Sequence, residues 1–304
     1  KVYSMTRGKR NVLLLVGIVG LAALLWFTRE QPEPEVPLTA LSPDLIDRIR
    51  VAHPDRPAIV LARGAEDQWR LTEPVEADAD ALEVAALLNL ANLPVRRQLD
   101  GAFDPAELGL APPAFVITLN DVVLRFGDTN PITAQRVVQT DTLAALVDNP
   151  PSAALDDDYT DLVSKQLIPE GDAIVAIDLP DGRRVEAADD GWRVVGFPAL
   201  DPQALVEGWK GVRAMWNAAA PVVEVGSLPQ VTVTLASGAR RAFAVVQRSP
   251  QFELINPALK VQHTLSAALA DTLLTVPEPG SEPAAEEAAD PEAAPAAAEV
   301  DPAG

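Results

Sequence analysis

The chain has 304 residues, 48% hydrophobic and 5% aromatic, with no Cys, two His and 24 basic against 44 acidic side chains. That length suits two modest domains. The lack of cysteine excludes disulfides, thiolate metal sites and a thiol nucleophile, and a net charge of −20 argues against a nucleic-acid surface, which relies on Lys and Arg displacing counterions.

The charge is unevenly placed. Residues 1–30 carry five bases and one acid, residues 277–304 carry eight acids and no base, and the stretch between them is left with −16. Such a body stays soluble and repels anionic lipid heads.

In chain order, residues 1–10 read as a basic cytoplasmic N-terminus and residues 11–28 as a transmembrane anchor. Its centre, Val12 to Phe27, holds sixteen residues without a charge, between Arg7, Lys9 and Arg10 on one side and Arg29 on the other. An ideal span takes about 20 residues, so flanking bases must snorkel and Trp26 and Phe27 must sit at the interface. A cleaved signal peptide is the competing reading, but Trp26, Phe27 and Arg29 stand where small residues would precede cleavage. The positive flank predicts an inner-membrane, single-pass protein with a cytoplasmic N-terminus and the bulk of the chain in the periplasm.

Residues 29–40, rich in Pro and Glu, read as an unpacked stalk. Beyond it the chain repeats itself, with a first copy over 41–149, a linker over 150–165 and a second copy over 166–276. Gln68-Trp69-Arg70-Leu71 leads to Pro74, and Gly191-Trp192-Arg193-Val194 leads to Pro198. The first helix is expected to start near Asp78 or Asp80, with Leu82, Ala86, Leu90 and Leu93 on one face. The second is expected to start at Asp201-Pro202 and to present Leu205, Trp209, Val212 and Trp216.

Hairpins follow, over 115–126 and 231–246, and another opens the second copy at 173–187 around Pro180-Asp181-Gly182. Each copy is predicted to close with a strand and a short Thr-Leu helix, at Thr142 and at Thr264. The spacing between copies is 123 at the tryptophans, 124 at the prolines and 122 at these threonines. The fold class predicted is α+β: one N-terminal transmembrane helix, two tandem units of a helix on an antiparallel sheet, and an acidic tail over 277–304 with too little to bury to become ordered.

No catalytic, cofactor or metal residues are assigned. His53 and His263 lie in different copies without metal-ligand spacing, no phosphate-binding or nucleophile-elbow motif occurs, and Asp156-Asp157-Asp158 with Asp161 lacks the glycine and glutamate of a calcium loop. Trp69, Trp192, Trp209 and Trp216 are expected to build the cores.

The segment Phe103 to Pro113, the strand Phe115 to Leu119 and Leu124-Arg125-Phe126-Gly127-Asp128 resemble the family labelled domain of unknown function 4340 (DUF4340). Its pattern is matched by Trp69 and Leu71, Pro74, Ala77 and Asp78, Gly109-Leu110 with Pro113, and Gly127. The match is good over 45–147 and weaker in the second copy, which lacks the Gly-Leu-x-x-Pro turn. The resemblance implies a non-enzymatic bacterial envelope protein, an accessory or scaffold associated with an ABC-type transport system of the gliding-motility kind. The partners implied are integral membrane transporter subunits or other envelope proteins, with inner-membrane lipid around the anchor. The alternative is a periplasmic binding module for an envelope polymer or lipid.

Overall fold

The computed structural model describes residues 36–100, 103–150 and 158–277, together with Gly17 and Gly20. Seventeen strands in two antiparallel sheets dominate the described residues, so the chain is mainly β and the α+β expectation is corrected. No helix among the described residues is long and apolar enough to cross a membrane. The predicted anchor at 11–28 lies outside the described residues apart from its two glycines, as do most of the stalk and the tail.

The first sheet is built from β1 (Arg48–Ala52), β2 (Ile59–Arg63), β3 (Trp69–Glu73), β4 (Ala77–Asp78), β5 (Val95–Gln98), β6 (Phe115–Leu119), β7 (Val122–Thr129), β8 (Gln135–Gln139) and β9 (Ala144–Asp148). Its order is β4-β3-β2-β1-β6-β7-β8-β9-β5. Helix α1 (Ala81–Asn89) stands between β4 and β5. The second sheet comprises β10 (Ile174–Asp178), β11 (Arg184–Ala188), β12 (Gly191–Val194), β13 (Trp216–Ala219), β14 (Gln230–Leu235), β15 (Arg240–Gln247), β16 (Gln251–Asn256) and β17 (Val261–Ser266). Helix α2 (Gln203–Gly211) falls between β12 and β13, and α3 (Leu269–Leu274) follows β17. Its order, β12-β11-β10-β14-β15-β16-β17-β13, is that of the first sheet from β3 to β5.

The hairpins lie where alternation placed them, because β6 and β14 bury every second side chain and period-2 patterning sets the strand face. Thr142 does not open a helix. The residues after it form β9, which pairs with β8 on one side and β5 on the other, and two ladders override the helical preference of Ala and Leu. The threonine landmark was also out of register: Val147 faces Val95 in the first sheet as Thr264 faces Trp216 in the second. The longer connection from β5 to β6 shifts everything beyond it.

That connection explains two motif glycines. Gly109 has φ +65 and lies against Asp128, while the Asp128 amide donates to the Leu108 carbonyl at 3.0 Å. A Cβ on Gly127 would collide with that carbonyl oxygen. Gly127→Ala is therefore expected to lower stability by about 1–3 kcal/mol. Gly211→Ala, where a Cβ meets nothing within 4 Å, is expected to leave the thermal midpoint unchanged; equal melting of the two variants would refute this account.

Helix α1 begins at Asp80 as expected, with the Asp80 carboxylate accepting from the Leu82 amide at 3.1 Å. It buries Val84 and Leu87, and Leu90 of the expected stripe is buried in the 3-10 turn that follows, while Leu82 of that stripe is 73% exposed. The end of the stalk is packed rather than free: Leu38 is buried and its amide donates to Leu93 O at 2.8 Å.

The described residues resolve into two compact units, one holding 36–60 with 85–150, the other 61–84 with 158–277. The second unit thus contains the β3–β4 hairpin as well as the second sheet. Its core gathers Trp209, Phe243, Phe252, Leu205 and Leu273. Trp209 is fully buried and donates from Nε1 to Leu273 O at 2.9 Å, and Gly208 lets α2 approach Thr272 and Leu273 of α3.

The other indoles depart from expectation. Trp69 is half-buried beneath the Arg63 guanidinium, 5.3 Å from its ring centre, and Trp192 is half-buried against the second core. Trp216 is 44% exposed, because α2 ends at Gly211 and the chain enters β13 instead of carrying the helical stripe onward.

Candidate functional site

The segment 159–168, predicted to be part linker, is a strap within the second unit. Its Val163 bridges Ala79, Asp80 N donates to Leu162 O, and Ser164 N donates to Asp78 O, so it completes the edge at β4. A few residues on, Gln166 bridges Arg213, Ala214 N donates to Lys165 O and Leu167 N donates to Val212 O. Leu162, Val163, Leu167 and Ile168 are buried, and Tyr159 donates its hydroxyl to Leu259 O at 2.7 Å.

Charges fix this strap. Asp80, whose side chain is fully buried, accepts from Arg213 at 2.9 Å and lies 3.9 Å from the Lys165 ammonium, which also reaches Glu83 at 3.3 Å. Asp78 pairs with Arg70 at 2.8 Å and Arg241 at 3.2 Å. Every carboxylate in the cluster has a cation, an arrangement that secures register.

His263 is 2% exposed on β17. Asn217 of β13 uses its side-chain amide to donate to Thr160 O and Val163 O, so its oxygen accepts and His263 Nδ1 is the donor at 2.7 Å. Burial, aided by the Arg241 charge, pushes His263 down to about 4. The cavity beside it, lined in part by Asp78, Ser164, Arg241 and Asn256, measures about 10 Å³, room for about one water. The helix expected to open at Thr264, directly after His263, is not formed: both residues lie within β17 and the last helix begins at Leu269, so only the strand pairing reveals the partner of His263.

The remaining polar candidates are accounted for locally. His53 lies against Phe115, with ring centres 5.7 Å apart and the planes tilted by 39°, and Asp158 accepts from the Thr160 amide and hydroxyl, while Asp156 and Asp157 lie outside the described residues. No three His, Cys, Asp or Glu side chains gather as metal ligands among the described residues. An open groove of about 350 Å³ follows residues 166–174 to Lys210, whose ammonium is turned toward Glu207 at 2.8 Å.

The four sheet ends differ, and the difference locates the candidate site. An unpaired edge invites another strand, and proteins blunt it with cover or charge. The strap covers β4. Edge β5 carries Arg96 and Arg97, with Arg96 held by Asp148 at 2.8 Å, and edge β12 carries Arg193 paired to Glu186. Among the described residues edge β13 carries no charge and has β17 as its one strand neighbour; the strap pairs upstream of it at 212–214 and touches the strand itself through the Asn217 side chain. No charge occurs from Ala214 through Val223. Within that run Met215 is 46%, Trp216 44% and Val222 fully exposed, and Ala218 and Ala219 are exposed as well. The signal was visible in the sequence as an uncharged stretch in a strongly acidic chain, but helical periodicity assigned Trp216 to the core.

No curated protein and no solved structure matched the chain. The family model described as a domain of unknown function, DUF4340, matches residues 69–222, just over half of the chain, from Trp69 through the strap to the end of the β13 region. The glycine contacts of the Gly-Leu-x-x-Pro turn and the strap-bound Ala77–Asp78 strand give that pattern its physical content, and the chain belongs to the DUF4340 family.

Proposed function

We propose that this protein is a non-enzymatic accessory or scaffold protein of the bacterial envelope, associated with an ABC-type transport system. It faces the periplasm and is held at the inner membrane by the uncharged segment 12–27. The observation that carries this reading is the uncharged run from Met215 to Val223, in which Met215, Trp216, Ala218, Ala219 and Val222 are exposed on an otherwise acidic chain, since exposed apolar surface marks interaction sites. The association with transport follows from the family resemblance, and the membrane location from the charge flanking residues 12–27.

Affinity purification from mild detergent tests the proposal. Recovery with ATP-binding-cassette and membrane subunits, lost when Trp216 and Val222 are both replaced by Ser, is the expected result. Recovery alone, or with a bound glycan or lipid, would overturn it in favour of a binding module.

A further inference from the structure

The geometry points to strand addition at β13: a partner protein docks by laying an extended, uncharged segment antiparallel along Trp216–Ala219, as a ninth strand of the second sheet. The inference rests on the docking role proposed above and specifies how the partner is held.

Three observations identify the occupant. The same edge already accepts an extended segment upstream, where Ala214 N donates to Lys165 O at 2.7 Å, Leu167 N donates to Val212 O at 3.3 Å, and Gln166 bridges Arg213 in antiparallel sense. The backbone direction and spacing needed for pairing are therefore present where β13 begins. The first sheet makes the matching contact, with Pro37 bridging Pro94 and Val95 N donating to Val36 O at 2.9 Å.

Comparison of the two edges supplies the second observation. By topology β13 corresponds to β5, yet β5 reads Val-Arg-Arg-Gln and β13 reads Trp-Asn-Ala-Ala. Charge on an edge strand discourages pairing, because an added strand would desolvate it. The two arginines have no counterpart on β13.

Thirdly, the run from Ala214 to Val223 offers no ion-pair partner, so a charge on the incoming segment would be left uncompensated. That selects an uncharged segment whose alternate side chains meet Trp216 and the Val222–Val223 turn. A second copy of this chain is disfavoured, since each copy brings a charge of −20. Main-chain bonds then give affinity and alternate side chains give selectivity.

The test uses the full chain and a labelled hexapeptide of alternating Thr and Val. At saturating peptide, backbone amide exchange within residues 216–219 is expected to slow at least tenfold, while β5 amides are unaffected. Ala218→Arg, which gives the edge a charge of the kind β5 carries, is expected to weaken binding at least tenfold without changing the thermal midpoint. Val222→Ser with Val223→Ser is expected to weaken binding while preserving the exchange protection. Absence of slowing at 216–219, or equal binding by Ala218→Arg, overturns strand addition, and a peptide-independent dimer abolished by Ala218→Arg overturns it in favour of a second copy. Should Ala218→Arg still co-purify with transport subunits, strand addition fails while the scaffold reading stands. Should the peptide protect the edge and no subunits co-purify, the reverse holds.

Discussion

Trp209→Ala is expected to cost about 3–5 kcal/mol and to unfold the second unit at temperatures the parent tolerates, as truncation of a large buried aromatic does. The indole is fully buried, packs 5.4 Å from Phe243 and satisfies Leu273 O, so removing it opens a cavity and orphans a buried carbonyl. Trp216→Ala, on the exposed edge, is expected to change the unfolding free energy by no more than about 0.5 kcal/mol. Trp69→Ala and Trp192→Ala should fall between, since both rings are half-buried. Urea titrations followed by circular dichroism rank the four. A Trp209 variant as stable as the Trp216 variant would remove the basis for placing the second core around α2 and α3.

Acid is the second lever. In the unfolded chain a histidine takes up its proton near pH 6.5, whereas buried His263 resists until about 4. Protons in that window favour the unfolded state, so the stabilisation is fully present above pH 6.5 and is lost as pH falls toward 4. At the limit this amounts to about 3 kcal/mol. His263→Gln is expected to be less stable at neutral pH, having lost the Asn217 contact, but to show a shallower loss between pH 6.5 and 4.5. Denaturant midpoints across that range check it, and parallel slopes for parent and variant would show that the ring does not stay neutral. Asp78, Asp80, Glu83, Lys165, Arg213 and Arg241 surround the strap, so hydrogen exchange at residues 160–167 should report the same loss.

Much of the local architecture was legible in residue patterns. Alternation located the hairpins at Phe115–Phe126 and Val231–Val246, Pro180-Asp181-Gly182 marked a turn, and Asp80 and Asp201 marked helix starts. The motif glycines were readable as motif, though only coordinates show that Gly127 yields to the Leu108 carbonyl. The stretch after Thr142 was misread because Ala and Leu favour a helix in isolation, and partner strands on both sides decided otherwise. Trp216 was misread for a related reason: helical periodicity continues in the letters after the helix has ended in space.

Composition alone settles that this chain has no cysteine chemistry, and its motif residues suffice for the DUF4340 assignment. Those properties reside in residue identity, which folding does not alter. Which edge is open, which histidine is neutral and that a presumed linker is a hydrogen-bonded strap are properties of pairings between residues far apart in the chain. Asn217 meets Thr160 and His263, and Asp80 meets Arg213, only after the strands have found their neighbours. Long-range register is set by the whole packed sheet, so no local window of sequence contains it.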